Sequence, residues 1–278
     1  MTDDPLDALV AAVRASPRYR EVAEPLARQV AARELAKGRS LKETVKATRN
    51  KLHQVAGAYI AEPRYAAWLA DLRAAWADPD DTARRRTALR QVMTRHASTR
   101  ERLPILDDFY AQTLATLGPI HSVLDIACGL NPLALSWAPL AGDVDYYAYD
   151  IYADIMTFLG GYFALEASGG RPGLRGHAEQ RDVIATPPNQ RADLALLLKA
   201  IPCLEQVEKT AGERLLRAIR ADHLLISFPV HSLGGRSKGM ITTYEARFHE
   251  LMLRTGIGAG ATIRRFEFAT ELAFLVSR

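Results

Sequence analysis

The sequence predicts an α/β protein: a mostly parallel sheet with helices on both faces, preceded by a long helical region. Three observations predict it. From residue 120 onward, short β-branched and apolar runs alternate with helical stretches, the pattern of a parallel sheet built by crossovers. The residues before that carry apolar side chains at helical spacing and no comparable strand-like run. Three of the strand-like runs end at or near an acid, Asp125, Asp150 and Asp182, which would gather polar groups along one sheet edge. The expected division is a helical, basic region over 1–110 and an α/β domain over 111–278.

In order, residues 5–56 read as short helices. Leu6, Leu9, Val10 and Val13 form one helical face that ends near Ser16-Pro17. A second helix runs from about Glu24 to Lys37, with Leu26, Val30 and Leu35 inward, and stops at Gly38. Ser40 and Glu43 stand at capping-box spacing ahead of a helix that carries Lys42, Lys46, Arg49 and Lys51 between Val45, Leu52 and Val55. Residues 63–116 are again helical, with Trp68, Leu69, Leu72 and Trp76 as a core stripe and a turn at 78–81. A basic helix, Arg84 to Arg95, leads into the polar segment His96 to Leu103, and a helix from Leu106 to Leu117 follows. His96, Ser98, Thr99, Arg100 and Arg102 crowd into that segment as a candidate anion grip.

In the α/β part, Ile120 to Ile126 reads as a strand buried on both faces, breaking at Cys128-Gly129. Asn131 as N-cap and Pro132 at the first helical position would then open a helix. Val144 to Tyr149 forms a second strand ending in Asp150, and a helix spans about Asp154 to Ala167. A third strand ends near Asp182 and a fourth covers Ala192 to Lys199. One helix is expected from Ile201 to Arg220, then a fifth strand, His223 to Phe228. The runs 261–268 and 271–276 lie two residues apart, the spacing of an antiparallel hairpin.

Charge is uneven. The net charge is +4, but residues 1–110 carry +5 and the remainder −1; between 14 and 51 there are 11 basic and 4 acidic residues. A basic helical region on a near-neutral body suits a polyanionic partner, and equally a solvated helical surface. No run approaches the ~18 apolar residues of a membrane span, and the N-terminus lacks a basic-then-apolar export pattern, so a cytoplasmic protein is expected. Cys128 and Cys203 are expected as reduced core thiols, and 75 residues apart they make no zinc signature.

A strand, a glycine turn and a helix start make a nucleotide-type site, but G-x-G-x-x-G is absent here. The Asp125-x-x-x-Gly129 spacing instead resembles the first motif of S-adenosylmethionine-dependent methyltransferases, which implies a Rossmann-like fold. Backbone approach at Gly129 would suit the methionine half, Asp150 would accept from ribose hydroxyls and Asp182 from the adenine amine. Arg102 is the helical region's best cation for the cofactor carboxylate. After the fifth strand, Ser227 to Met240 forms a glycine-rich segment whose Arg236 and Lys238 suit a phosphate or a flipped base.

Longer stretches are more specific. Arg49 to His53 with Gly57-Ala58-Tyr59, His96 to Leu103, Asp125 to Ala134, Leu196 to Leu204, Ser227 to Met240 and Thr270-Glu271-Leu272 resemble the aminoglycoside-resistance 16S rRNA methyltransferases acting on guanine N7 at nucleotide 1405. The sequence departs from that family's pattern at Val230-His231. The resemblance implies a helical N-terminal domain that docks on the 30S subunit and a C-terminal domain that holds S-adenosylmethionine. It implies a cofactor pocket lined by Arg102, Gly129, Asp150, Asp182, Leu197 and Leu198, to which His96, Thr99, Asp125, Ala127, Ile151 and Val183 are added as neighbours. Lys199, Arg236, Lys238 and Met240 would face the RNA, with His231 and the basic-helix residues Lys46, Arg49 and Lys51 beside them. Guanine N7 carries a free lone pair, so no catalytic base is expected, and neither a metal nor a membrane enters; a monomer is expected. The alternatives are a decoding-site adenine-N1 methyltransferase, a small-molecule methyltransferase and a non-catalytic ribosome-binding protein.

Overall fold

The computed structural model describes residues 4–54, 63–78, 80–230 and 239–278. Among the described residues seven strands form one sheet: β1 Ser122–Ile126, β2 Val144–Asp150, β3 Leu174–Gln180, β4 Arg191–Leu198, β5 Arg220–Pro229, β6 Thr262–Glu267 and β7 Glu271–Ser277. Their order is β3-β2-β1-β4-β5-β7-β6. The first five are mutually parallel; β7 runs antiparallel to β5, and β6 antiparallel to β7, as the hairpin spacing predicts. The chain order reverses between β1 and β4, so the crevice at their C-terminal ends is where a ligand is expected.

Strand residues alternate between two cores. Leu124, Ile126, Leu197, Ile226 and Phe274 face one side; Val123, Leu196, Leu198, Leu225 and Leu275 face the other. The helices before the sheet divide accordingly. Helices α1 (Pro5–Arg14), α2 (Pro17–Arg20), α3 (Glu24–Leu35) and α4 (Leu41–Leu52) place Leu9, Val13, Tyr19, Leu26, Val30 and Leu52 in the first core. Helices α5 (Tyr65–Ala75), α6 (Thr82–Met93) and α8 (Leu106–Thr113) place Trp68, Leu72, Leu89, Met93 and Phe109 in the second. The helical region thus packs on both faces of the sheet.

Local chemistry explains several boundaries. Asp4 and Asp81 accept from backbone N–H groups at the starts of α1 and α6, and the expected Ser40–Glu43 capping box opens α4. The glycine turn after β1 differs from expectation. Asn131–Trp137 is a 3-10 helix and Asn131 does not cap it, because its amide is buried and engaged elsewhere. The single helix expected over 201–220 is two, α10 Ala200–Val207 and α11 Ala211–Ala218. Helix α12, Met240–Thr255, was not anticipated, although Phe248, Leu251 and Met252 stand at helical spacing and are buried.

A charged network under the sheet edge joins these pieces. Arg102, the last residue of α7 (Ala97–Arg102), is fully buried and meets Glu271 at the start of β7 through two bonds, Nε at 3.0 Å and Nη2 at 2.7 Å. Its Nη1 donates at 2.8 Å to Asn131 Oδ1, which also accepts from the Tyr110 hydroxyl. Asn131 Nδ2 donates to Asp125 at 2.9 Å, and the Tyr146 hydroxyl donates to the same oxygen at 2.7 Å. Ser227 donates to Glu271, and Lys199 Nζ lies 3.5 Å from it. Burial pushes the Glu271 pKa up, but the Arg102 and Lys199 charges outweigh it and hold the carboxyl below its usual value. Glu271→Ala should therefore lower stability by about 3–5 kcal/mol, since it strands the Arg102 charge without its partner. Chemical denaturation of both proteins checks this; a loss below ~1 kcal/mol would mean the pair is solvated.

Candidate active site

The site begins where β1 ends. Ala127 (φ 51°) and Gly129 (φ 52°) both adopt left-handed backbone, so the chain doubles back sharply beyond Ile126. The Cys128 N–H donates to the Tyr149 carbonyl at 3.0 Å, and the Gly129 N–H donates to Asp150 Oδ2 at 2.8 Å. Asp150 Oδ1 accepts from the N–H of Ile151 at 2.7 Å, so one carboxylate braces both strand tips. Burial raises the Asp150 pKa against these bonds, which lower it. Gly129 has no room for a side chain: a Cβ there would lie 2.6 Å from His96 Nε2. Burial first, then the Arg102 charge, depress the His96 pKa to about 3, so this ring is neutral at physiological pH.

Asp182 follows β3, and its Oδ1 accepts from the N–H groups of Ile184 at 3.0 Å and Ala185 at 3.3 Å. Its Oδ2 is buried and has no hydrogen-bond partner among the described residues. Lys199 follows β4 in left-handed backbone (φ 58°), and its Nζ donates to Glu101 at 2.8 Å. Together these tips surround a cavity of about 200 Å³.

Of the residues singled out from the sequence, His96, Ala127, Gly129, Asp150, Ile151, Asp182, Val183, Leu198 and Lys199 lie on the cavity wall. Thr99, Arg102, Asp125 and Leu197 stand outside it. Thr99 donates its hydroxyl to the backbone carbonyls of Met93 and His96, behind the wall. Arg102 is committed to Glu271 and Asn131, Asp125 to Asn131 and Tyr146, and Leu197 packs in the first core. In the basic helix Lys46 is exposed, Lys51 is half-buried, and Arg49 donates to the Ala12 carbonyl of α1 at 2.6 Å. Lys199 is 8% exposed and ion-paired with two glutamates, which differs from an open RNA-facing lysine. Met240 begins α12 and is half-buried. His231, Arg236, Lys238 and the 57–59 motif lie outside the described residues.

Several wall residues had no sequence signal. Cys128 and Arg181 adjoin residues already singled out, Leu26 is expected only as an inward helix residue, and Arg18, Glu21 and Tyr65 belong to no quoted motif. Cys128 is buried as expected, whereas Cys203 is partly exposed at the cavity wall; neither forms a disulfide among the described residues. Among the described residues no cluster of three or more metal-ligating side chains occurs, and no helix is long and apolar enough to cross a membrane.

Burial raises the Asp125 pKa from 3.8 to about 6, against the Asn131 and Tyr146 hydrogen bonds that lower it. The folded chain therefore holds this proton more firmly than the unfolded chain, and Asp125 opposes folding increasingly as pH rises through that window. Stability of Asp125→Asn should gain on the parent between pH 4 and pH 6, the interval bounded by the two values. Urea denaturation at both pH values checks it, and parallel pH profiles would refute it.

Known proteins resemble this chain along nearly its whole length. Residues 15–275 match the family model for the ribosomal RNA methyltransferase FmrO. A 16S rRNA (guanine(1405)-N(7))-methyltransferase of Frankia casuarinae is 39% identical over 272 residues, spanning 96% of this chain and 91% of that one. One of the same name from Micromonospora rosea is 34% identical over 279 residues, spanning 99% and 98%. The 16S rRNA methyltransferase RmtF, solved in complex with S-adenosyl-L-homocysteine, superposes with a TM-score of 0.79 at 30% identity, covering all of both chains. RmtB superposes with a TM-score of 0.78 at 27% identity over 98% of each chain. The strand order, the glycine turn braced by Asp150 and this agreement lead to one conclusion: the chain belongs to the FmrO family of ribosomal RNA methyltransferases.

Proposed function

We propose that the protein is a 16S rRNA (guanine(1405)-N(7))-methyltransferase that uses S-adenosyl-L-methionine, acts on the decoding site of the assembled 30S subunit and so confers aminoglycoside resistance. The observation that carries the cofactor assignment is the buried Oδ2 of Asp182 at the cavity wall, which has no partner among the described residues. A buried acceptor without a donor is costly, and an exocyclic adenine amine is the donor it lacks. The glycine turn fits as well: Gly129 stands on the cavity wall, and its missing side chain makes room for His96 against the turn.

The residues would divide the work as follows. Asp150 holds the Gly129 N–H with one oxygen and keeps lone pairs for ribose hydroxyls. Asp182 receives the adenine amine, with Val183 and Leu198 as apolar wall beside it. His96 stays neutral and fills the space under Gly129. Thr99, Arg102, Asp125 and Leu197 act from behind the wall by fixing these positions. When bound, the cofactor supplies a methyl group on a cationic sulfur. The N7 lone pair needs no deprotonation to accept it, so the protein's task is in-line placement and exclusion of water. No base need be assigned.

Substrate docking is assigned to the basic helical region, residues 1–110, with exposed Lys46 among its contacts. Arg236 and Lys238 are proposed to grip phosphate around the extruded guanine, with His231 and Met240 beside them. The described interactions of Arg49 and Lys199 favour structural roles next to any RNA contact. The protein is proposed to work in the cytoplasm as a monomer.

Tritiated methyl transfer to purified 30S subunits, compared with free 16S rRNA, tests the function. Borohydride–aniline cleavage and primer extension then locate the label, which should be confined to the 30S subunit at guanine 1405. Absence of label from both RNAs, with S-adenosylhomocysteine still bound, would point instead to a small-molecule substrate. Arg236→Ala should cut methylation roughly tenfold or more, the scale of a charged hydrogen bond, and leave cofactor affinity nearly unchanged. Equal loss of both would remove Arg236 from the RNA side.

A further inference from the structure

The outer wall of the cavity comes from the first thirty residues. Pro17, Arg18, Glu21 and Leu26 line it alongside the strand tips. This segment joins the sheet edge by an isolated antiparallel bridge between Val22 and Tyr152. The Ala23 N–H donates to the Ile151 carbonyl at 2.8 Å, and the Ala153 N–H donates to the Glu21 carbonyl at 3.0 Å. Gln180, the last residue of β3, spans the junction from outside: its Nε2 donates to the Glu21 carbonyl at 2.9 Å and the Ile151 carbonyl at 3.0 Å. Ile151 directly follows Asp150, whose carboxylate holds the glycine turn. A continuous hydrogen-bonded path thus runs from the N-terminal segment to Gly129. Val22 is fully buried and Leu26 nearly so, in one cluster with Ile184, Leu204 and Val207.

We propose that residues 17–26 are part of the cofactor site, a strap that closes its ribose end, and that Gln180 is the positioning residue holding the strap. This rests on the cavity being the S-adenosylmethionine site. A ligand that touches strap and strand tips together stabilises their junction. By linkage the junction then strengthens binding by the same free energy. Gln180 is exposed and lies off the cavity wall, so its effect on affinity must pass through the Glu21 and Ile151 carbonyls. Its replacement also leaves both cores untouched.

The test uses the full chain and S-adenosylhomocysteine as the probe. Calorimetry compares the parent with Gln180→Met, which keeps the side chain's length and loses both donors. The variant should unfold at nearly the parent's denaturant midpoint yet bind roughly three- to tenfold more weakly, the scale of one or two net hydrogen bonds. In methylation assays the KM for cofactor should rise by the same factor while kcat holds, a split that a general loosening of the fold would not produce. In the parent, S-adenosylhomocysteine should slow amide exchange at Ala23 and Ala153. Equal affinity of variant and parent, or exchange at Ala23 indifferent to the ligand, would overturn the strap. Failure of the parent itself to bind would overturn the cofactor assignment, and the strap with it.

Discussion

Everything near the site depends on one fully buried ion pair, Arg102 with Glu271. Removing two charges from water costs several kcal/mol each, and attraction offsets this only when the remaining donors and acceptors are met. Here they are met by Asn131, Ser227 and Lys199, which come from the glycine turn, from β5 and from the tip of β4. A simple apolar contact between α7 and β7 would tolerate sliding. A bidentate guanidinium–carboxylate pair does not, because both oxygens and two nitrogens must stay in register. The pair therefore fixes where α7 sits, with Thr99 in it and His96 just before it beneath the turn that faces the cavity.

The same network explains why the site holds its acids differently. Asp125 sits behind the wall, where burial favours its neutral form and two hydrogen bonds favour its anion. Asp150 stands at the wall and spends its oxygens on backbone N–H groups, so its geometry is set before any ligand arrives. Asp182 keeps a buried oxygen with no partner among the described residues. Three aspartates at three strand ends thus perform three tasks: bracing from behind, shaping the turn and offering an acceptor. Preorganisation of this kind suits a transfer in which the nucleophile needs no activation and placement supplies the rate.

The helical region is more than an attachment to the α/β body. It splits across both faces of the sheet, and α1 to α4 share a core with β1, β4 and β5. Removing it would take away part of that core as well as one wall of the cavity. The proposed docking region and the proposed cofactor cavity consequently share a wall. At Glu21 and Ile151 the two are joined by backbone hydrogen bonds.

Much was legible from local chemistry alone. Strand runs, the capping box at Ser40 and Glu43 and the hairpin after 261 follow from periodicity and short-range pairing, which neighbours in sequence decide. The acids at strand ends and Gly129 were legible too, because the C-terminal edge of a parallel sheet is a property of its connectivity. Asn131 was misread as a helix cap because nothing nearby in sequence reveals that Asp125, Arg102 and Tyr110 converge on its amide. Arg102 and Lys199 read as open cations for the same reason: their partners Glu271 and Glu101 lie 169 and 98 residues away. The sequence by itself determined which residues make the sheet and which acids stand at its edge, since those choices rest on spacing. Only the tertiary structure decided which charges neutralise one another in the interior and which early residues close the cavity. Long-range burial makes those pairings, and spacing along the chain does not encode it.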